Sequence, residues 1–453
     1  MYKREDYKYA VRAVILLGIL IRLLYVLYTP YTVGQHDTGF IGDEGGHIPY
    51  IEYCLRGEPV FHQFDSRLRT QFYHPPLHHL ISALFIKGNL ALGVEYEQAF
   101  ENLQFLTCVY SIITLLLCCQ IFRELGLKGK GFLLANMMVC FHPTLFMMAG
   151  SLNNDALCLM FSVGAVLYVI RWHRMHRTGT ILAAAVCILG AVLTKATGFM
   201  IAPAIAVLFL ADLWKAWKEK KGLPVFGQLA LFGVVCIPAG LSWSIYNWVR
   251  FGIPFTYIPA SEPDHGYMRQ YIGDHSAVQR LFCFDPAEIK ELHVVYNGYS
   301  VPVNALKTAM FGEYQFPTHN VVFLAFAVLC ATALLAFVLG LIVFVITAKR
   351  VHRKGMGGLF LLEGISATFL ASYINFCFAY PYVCSMNFRY LAIVIPAFGA
   401  CFGFGVNELN DEKRSEKLLG QSFWLTTLCW CAVSCICYLM FGFTSRDYGL
   451  LLP

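Results

Sequence analysis

FYHPPLHHLISALFIKGNLALG, residues 72–93, decides how this chain is threaded. The stretch is apolar, but it is free of proline only from Leu77 onward, and Lys87 interrupts it. A helix that crosses the hydrocarbon core needs about 20 predominantly apolar residues. Pro75 and Pro76 suit the first turn of a helix, where a missing backbone N–H costs nothing. The segment therefore reads as a short interfacial or re-entrant helix opened by the two prolines, with His74 at its mouth. A full crossing here would reverse the side of every basic cluster that follows.

Those clusters set the orientation. They are Arg123, Lys128 and Lys130; Arg171, Arg174 and Arg177; Lys215, Lys218, Lys220 and Lys221; Lys349, Arg350, Arg353 and Lys354; and Lys413, Arg414 and Lys417. They fill every second gap between apolar runs, so a cytoplasmic N-terminus puts all of them on the cytoplasmic side, as the positive-inside bias requires. The runs lie near 11–28, 101–122, 131–150, 154–171, 179–194, 197–213, 225–245, 321–348, 358–380, 389–407 and 421–441, which makes about eleven spans. The expected fold is an all-α polytopic membrane protein with extracytoplasmic loops and interfacial helices.

Composition agrees. Of 453 residues 58% are apolar and 14% charged, which excludes an ordinary soluble domain. The net charge of +6 is accounted for by the topogenic clusters, so no nucleic-acid partner is implied. The first run follows Lys3, Arg4, Lys8 and Arg12 but is long, contains Arg22 and lacks a small-residue cleavage site, so it reads as a retained helix. Most of the 17 cysteines sit inside spans as small apolar residues, while Cys54 and Cys283 fall in outer loops and leave a disulfide open.

Two outer segments are long, roughly 29–100 and 246–320, and chemistry is expected on that face. In the first, DEGGHIPYIEYCLRGE (43–58) suits a short helix on the membrane surface, carrying Ile48, Ile51, Tyr53 and Leu55. The second carries Tyr257, Tyr267, Tyr271, Tyr296, Tyr299 and Tyr314 with Pro254, Pro259, Pro263, Pro286 and Pro302, which suits a folded aromatic lid.

Asp43 and Glu44 stand between glycines, on a turn that lets other backbone approach closely. One carboxylate near an acceptor hydroxyl can act as general base while its neighbour positions or binds; the plain alternative is an exposed polar turn. Asn153 and Asn154 suit a helix cap. Asp155 lies a residue deeper, where a charge needs a partner. Lys195 sits at the outer end of a hairpin, against the charge bias, and calls for an anion, for which phosphate is a natural candidate. Arg389 is likewise a lone outer cation whose planar fork suits phosphate; either could instead anchor a lipid headgroup. His74, His78 and His79 could ligate a metal with Asp43, Glu44 or His47, although no HExxH pattern occurs. His142-Pro143 marks a helix irregularity.

Four stretches in order, GDEGGHIPY (42–50), YHPPLHHLISALF (73–85), SLNNDALCLMF (151–161) and NFRYLAIVIPAF (387–398), resemble the GT-C superfamily of membrane glycosyltransferases. The likeness is to the polyprenyl-phosphate-sugar branch, with its protein O-mannosyltransferases and lipid A aminoarabinose transferases. It covers most of residues 1–250 and the late span. It implies a catalytic transmembrane module over 1–250 that includes the first outer loop, 29–100; the extracytoplasmic loop over 246–320 lies outside the resemblance and is expected to govern acceptor choice, and C-terminal transmembrane helices are expected over 321–453. It implies that Asp43 activates the acceptor with Glu44 beside it, and that Asp155 is the acidic residue of the next outer turn. Lys195 and Arg389 then hold the donor phosphate, and His74, Asn154 and Tyr390 line the substrate site. Many relatives carry glutamine or another polar residue where His74 stands.

The expected reaction moves a sugar from a polyprenyl-phosphate donor to a hydroxyl of a glycan, lipid or protein acceptor, with inversion. No cofactor is assigned, and a divalent metal is left open. The expected setting is the plasma membrane, with membrane lipids around the chain, the N-terminus cytoplasmic and the active site extracytoplasmic. A polytopic transporter or flippase is the alternative, since ionisable groups inside spans mark ion and substrate paths.

Overall fold

The computed structural model describes residues 6–33, 37–57, 69–253, 271–283, 288, 298–312, 320–353 and 357–448. Among them the chain is helical, with one isolated bridge between Tyr271 and Tyr382. The helices are α1 (Asp6–Tyr28), α2 (His47–Leu55), α3 (Leu77–Ala91), α4 (Tyr96–Glu124), α5 (Gly129–Phe141), α6 (Pro143–Met147), α7 (Asp155–Met175) and α8 (Thr178–Val192). They continue with α9 (Ala202–Lys218), α10 (Gly222–Phe251), α11 (Ala277–Phe282), α12 (Val301–Phe311), α13 (Asn320–His352), α14 (Gly357–Ala379), α15 (Val394–Asn407) and α16 (Arg414–Tyr448).

Every expected apolar run carries helix, but not all are full spans. Among the described residues eight helices are long and apolar enough to cross, or nine if Val383–Leu391 and Val394–Asn407, bent by 54°, count as one. The runs at 131–150 and 179–194 fold as α5, of 13 residues, followed by the brief α6, and as α8, of 15 residues. At 1.5 Å per residue these reach only about 20 Å. The break after α5 has a local cause: His142 precedes Pro143 and is held extended, at φ −72° and ψ 123°, as the proline ring requires.

The chain folds into two compact units that interleave in sequence: 1–29, 118–147 and 261–453; and 30–117 and 148–260. In the first unit, Arg22 is fully buried and answers the break in α5. It donates to the carbonyls of Val139 (3.1 Å) and Cys140 (2.9 Å), while Ser434 Oγ donates to that of Phe141 (2.7 Å). The last carbonyls of a broken helix are thus satisfied by side chains from α1 and α16. At the other end of α5, Gly131 meets Gly403 of α15 so closely that a Cβ at Gly131 would strike the Gly403 carbonyl, and Asn407 Oδ1 accepts from Gly131 N at 3.0 Å. Small residues at such a crossing let the backbones approach.

In the second unit, α7 is largely enclosed while α10 leaves Leu223, Val234, Ile237 and Val249 exposed, as a lipid-facing helix does. The turn at 72–76 is anchored by Trp243 Nε1, which donates to the Tyr73 carbonyl at 3.0 Å, and α3 begins at Leu77 after Pro76, as the sequence predicts. The helix expected on the membrane surface, α2, is instead packed inside the unit. His47 to Tyr53 are all buried, because Ile48 and Ile51 pack with Ala83, Ile86, Ala99, Phe100, Leu103 and Leu152. Cys54 and Cys283 are both thiols, so the bridge left open by the sequence is not formed.

Candidate active site

The acidic pair sits on a turn that glycine builds. Gly39, Gly42 and Gly46 have positive φ, and a Cβ at Gly46 would strike the Thr38 carbonyl. Ile48 N donates to the Thr38 carbonyl at 2.8 Å and Gly46 N to that of Thr70 at 3.0 Å, which pins the base of the turn to the start of α2. Asp43 and Glu44 are exposed at its tip, and Asp43 Oδ2 accepts from Phe40 N at 2.7 Å. Behind the tip, Gly42 N donates to Glu52 Oε2 at 2.9 Å.

The start of α3 is the hub of the second unit's polar cluster. His78 is fully buried and meets the Leu152 carbonyl at 2.9 Å through Nε2. A carbonyl only accepts, so Nε2 carries the proton and the ring is the neutral Nε2–H tautomer. Burial pushes His78 down to about 4, and the charges of Asp155 and Lys195 act on it as well. On the other side His79 meets His47 at 3.0 Å between Nε2 and Nδ1 and stacks on Tyr50 with ring centres 3.8 Å apart. Burial, then the neighbouring His47 and His78, hold His79 well below the ordinary histidine range. His74 is buried and stacks on His47 at 5.6 Å, and its carbonyl accepts from the Tyr50 hydroxyl.

Asp155 and Lys195 are brought together. Lys195 Nζ lies 2.5 Å from Asp155 Oδ1, both side chains being nearly enclosed. The anion that Lys195 calls for is therefore supplied by the chain, and so is the partner for Asp155. Asn153, one residue before the cap position, accepts from Asp155 N at 3.0 Å through Oδ1 and so satisfies the first free N–H of α7. Asn154 makes no side-chain cap; it donates to the Thr194 carbonyl at 3.1 Å and ties α7 to the residue before Lys195. Leu77 N in turn donates to the Leu193 carbonyl at 3.1 Å, so α3, α7 and the 193–195 turn are joined.

Arg389 and Tyr390 belong to the first unit. The guanidinium lies over the Tyr390 ring, 5.0 Å from its centre, and Nη2 donates to the Tyr390 hydroxyl at 3.1 Å. Asn387 Oδ1 accepts from Arg389 N at 2.9 Å and starts the short turn on which both stand. Of the aromatic lid, Tyr257, Tyr267, Tyr296, Tyr314, Pro254, Pro259, Pro263 and Pro286 lie outside the described residues. Among the described residues no three His, Cys, Asp or Glu side chains are grouped to hold a metal ion. The histidines that could have been ligands stack and hydrogen-bond with one another instead, and His78 spends its Nε2 on a carbonyl.

Glu52 is a residue that the sequence did not single out. It is buried, and Oε1 accepts from the Tyr96 hydroxyl at 2.8 Å while Oε2 holds Gly42 N. The one signal that could have found it is a glutamate in the middle of a short, otherwise apolar helix, HIPYIEYCL.

Comparison with known proteins bears directly on this arrangement. Residues 73–243, which include the α3 hub and the Asp155–Lys195 pair, match the family described as dolichyl-phosphate-mannose-protein mannosyltransferase. The Archaeoglobus fulgidus oligosaccharyltransferase superimposes over 97% of this chain and 56% of its own, with a TM-score of 0.55 at 12% identity. ArnT from Cupriavidus metallidurans does so over 97% of this chain and 78% of its own, with a TM-score of 0.52 at 14% identity. The chain shares the fold of these two proteins. The chain spans little more than half the length of the archaeal enzyme. A second ArnT structure, bound to undecaprenyl phosphate, gives a TM-score of 0.52 over 96% of this chain and 78% of its own, again at 14% identity. No curated protein sequence matches the chain.

Proposed function

We propose that the protein is a membrane glycosyltransferase that moves a sugar from a polyprenyl-phosphate donor to an acceptor hydroxyl on the extracytoplasmic face, with inversion. The observation that carries the reading is the exposed Asp43 on a pinned turn, in the unit that holds residues 73–117 and 148–243 of the mannosyltransferase match. The donor class is supported by that match and by the fold shared with an enzyme bound to undecaprenyl phosphate.

In the proposed step the Asp43 carboxylate takes the proton of the acceptor hydroxyl as its oxygen bonds to the anomeric carbon. The bond from that carbon to the phosphate oxygen breaks, and its electron pair leaves with the polyprenyl phosphate. The leaving group is already a good one, so cationic stabilisation replaces a general acid. Lys195 is assigned that role, with Asp155 holding its ammonium in place until the phosphate shares it. Arg389 and Tyr390 are assigned to the donor by the resemblance alone, as are Glu44, His74 and Asn154 to the substrate. The loop at 246–320 is proposed to face the acceptor.

The test is sugar transfer from radiolabelled polyprenyl-phosphate sugars by membranes carrying the wild-type chain or Asp43→Asn. Transfer that vanishes in the variant supports the reading and identifies the sugar. Absence of transfer from every donor, across a broad acceptor mixture, would turn attention to uptake assays. The transporter reading itself is weakened by Arg22, an intramembrane charge whose guanidinium is committed to helix carbonyls.

A further inference from the structure

We infer that Glu52 is a positioning residue for the acidic turn, holding the backbone on which Asp43 stands; the inference rests on the base role proposed for Asp43. A glutamate in the buried face of a nine-residue helix is costly, because a carboxylate taken out of water loses its hydration unless its oxygens are paired. Both oxygens of Glu52 are paired. Oε2 accepts from Gly42 N at 2.9 Å and Oε1 from the Tyr96 hydroxyl at 2.8 Å. Neither bond is needed for α2 itself, whose apolar face already packs into the core. What they do is join three separate pieces of chain: the residue before Asp43, the middle of α2 and the first residue of α4.

The turn needs such a tie. Gly39, Gly42 and Gly46 all take positive φ, and glycine-rich backbone is free to move unless something fixes it. The base of the turn is fixed by Gly46 and Ile48, and Asp43 is tied to Phe40 within the turn through Oδ2, which accepts from Phe40 N, and through its own N–H, which donates to the Phe40 carbonyl at 3.1 Å; the peptide entering Gly42, one residue earlier, is the one that Glu52 ties to α2. A general base must stand within hydrogen-bond reach of its proton, and a misplacement of about 1 Å can cost about a hundredfold in rate. Glu52 touches no reacting atom in this scheme; it acts through Gly42.

Glu52→Ala, Glu52→Gln and Tyr96→Phe test the inference in the full-length protein. Glu52→Ala is expected to lower kcat by about tenfold or more with the donor KM little changed. Glu52→Gln should recover most of that loss, since its amide can still accept from Gly42 N and sit against Tyr96. Tyr96→Phe, at a partly exposed position, should fall between. Hydrogen exchange of the peptide covering 37–46 should be faster in Glu52→Ala than in wild type, whether or not any donor is turned over. Unchanged exchange there overturns the inference outright, as does a loss confined to the donor KM or a Glu52→Gln variant no better than Glu52→Ala. If Glu52→Ala does not fold, wild-type kcat and exchange in Tyr96→Phe overturn it. An Asp43→Asn variant with normal turnover would instead remove the base role, which is a separate failure.

Discussion

The Asp155–Lys195 pair shows what single residues can and cannot announce. Asp155 stands deep enough to need a partner and Lys195 stands where it needs an anion, but sequence spacing does not say that the two needs are met by each other, 40 positions apart. Breaking such a buried pair leaves an uncompensated charge, so Lys195→Ala should destabilise the protein by about 3–5 kcal/mol, read as a lower melting temperature in detergent. A Lys195→Met, Asp155→Leu double variant should regain most of that stability and still bind the polyprenyl-phosphate donor more weakly than wild type. Full donor affinity in the double variant would leave the pair a purely structural one. His78 offers a pH test. Its ordinary value near 6.5 is pushed down to about 4 by burial, so the unfolded chain binds the proton first as pH falls. Its contribution is complete above about 6.5 and is lost progressively toward about 4. Thermal stability should decline across that window, and His78→Gln, which can still donate to the Leu152 carbonyl, should flatten the decline.

At the scale of elements, the prolines were the most legible residues. Pro75 and Pro76 start α3, and Pro143 ends α5 through its effect on His142, because both effects are steric and act on neighbours in sequence. The repair of the α5 break was not legible. Arg22 lies 117 and 118 residues from the carbonyls it satisfies, and nothing in α1 distinguishes a helix-capping arginine from one on a transport path. Arg22→Ala should leave the Val139 and Cys140 carbonyls without this donor in an apolar setting, at roughly 1–3 kcal/mol each. The melting temperature in detergent should fall accordingly, and Arg22→Lys should recover only part of it, since an ammonium lacks the fork that spans two carbonyls. The opposite error concerns α2, whose mixture of polar and apolar residues suggested a surface helix. Burial of His47 and Glu52 depends on partners in α3 and α4 that no local pattern reveals.

For the whole molecule, apolar runs and basic gaps carry the topology. Among the described residues, eight long helices, a bent pair and two short helices stand where the eleven runs were read, so helix placement was legible and length was not: turns, caps and prolines trim a run after hydropathy has defined it. The proposed orientation can be tested directly. In a chain with Cys54 and Cys283 replaced by serine, Asp65→Cys should react with an impermeant thiol reagent added outside, and Lys218→Cys should react only after permeabilisation. Labelling with the reverse pattern would place the acidic turn on the cytoplasmic face and end the reading of an extracytoplasmic site.

The sequence by itself determined a helical membrane protein, the places of its helices and the stretches that resemble GT-C enzymes, because hydropathy, charge bias and proline sterics act over short distances along the chain. Only the tertiary structure decided which charges neutralise each other, which carbonyls Arg22 serves and which buried carboxylate holds the turn under Asp43. Those are pairings between segments apart in sequence, and a side chain's need for a partner is written locally while the partner is chosen by packing.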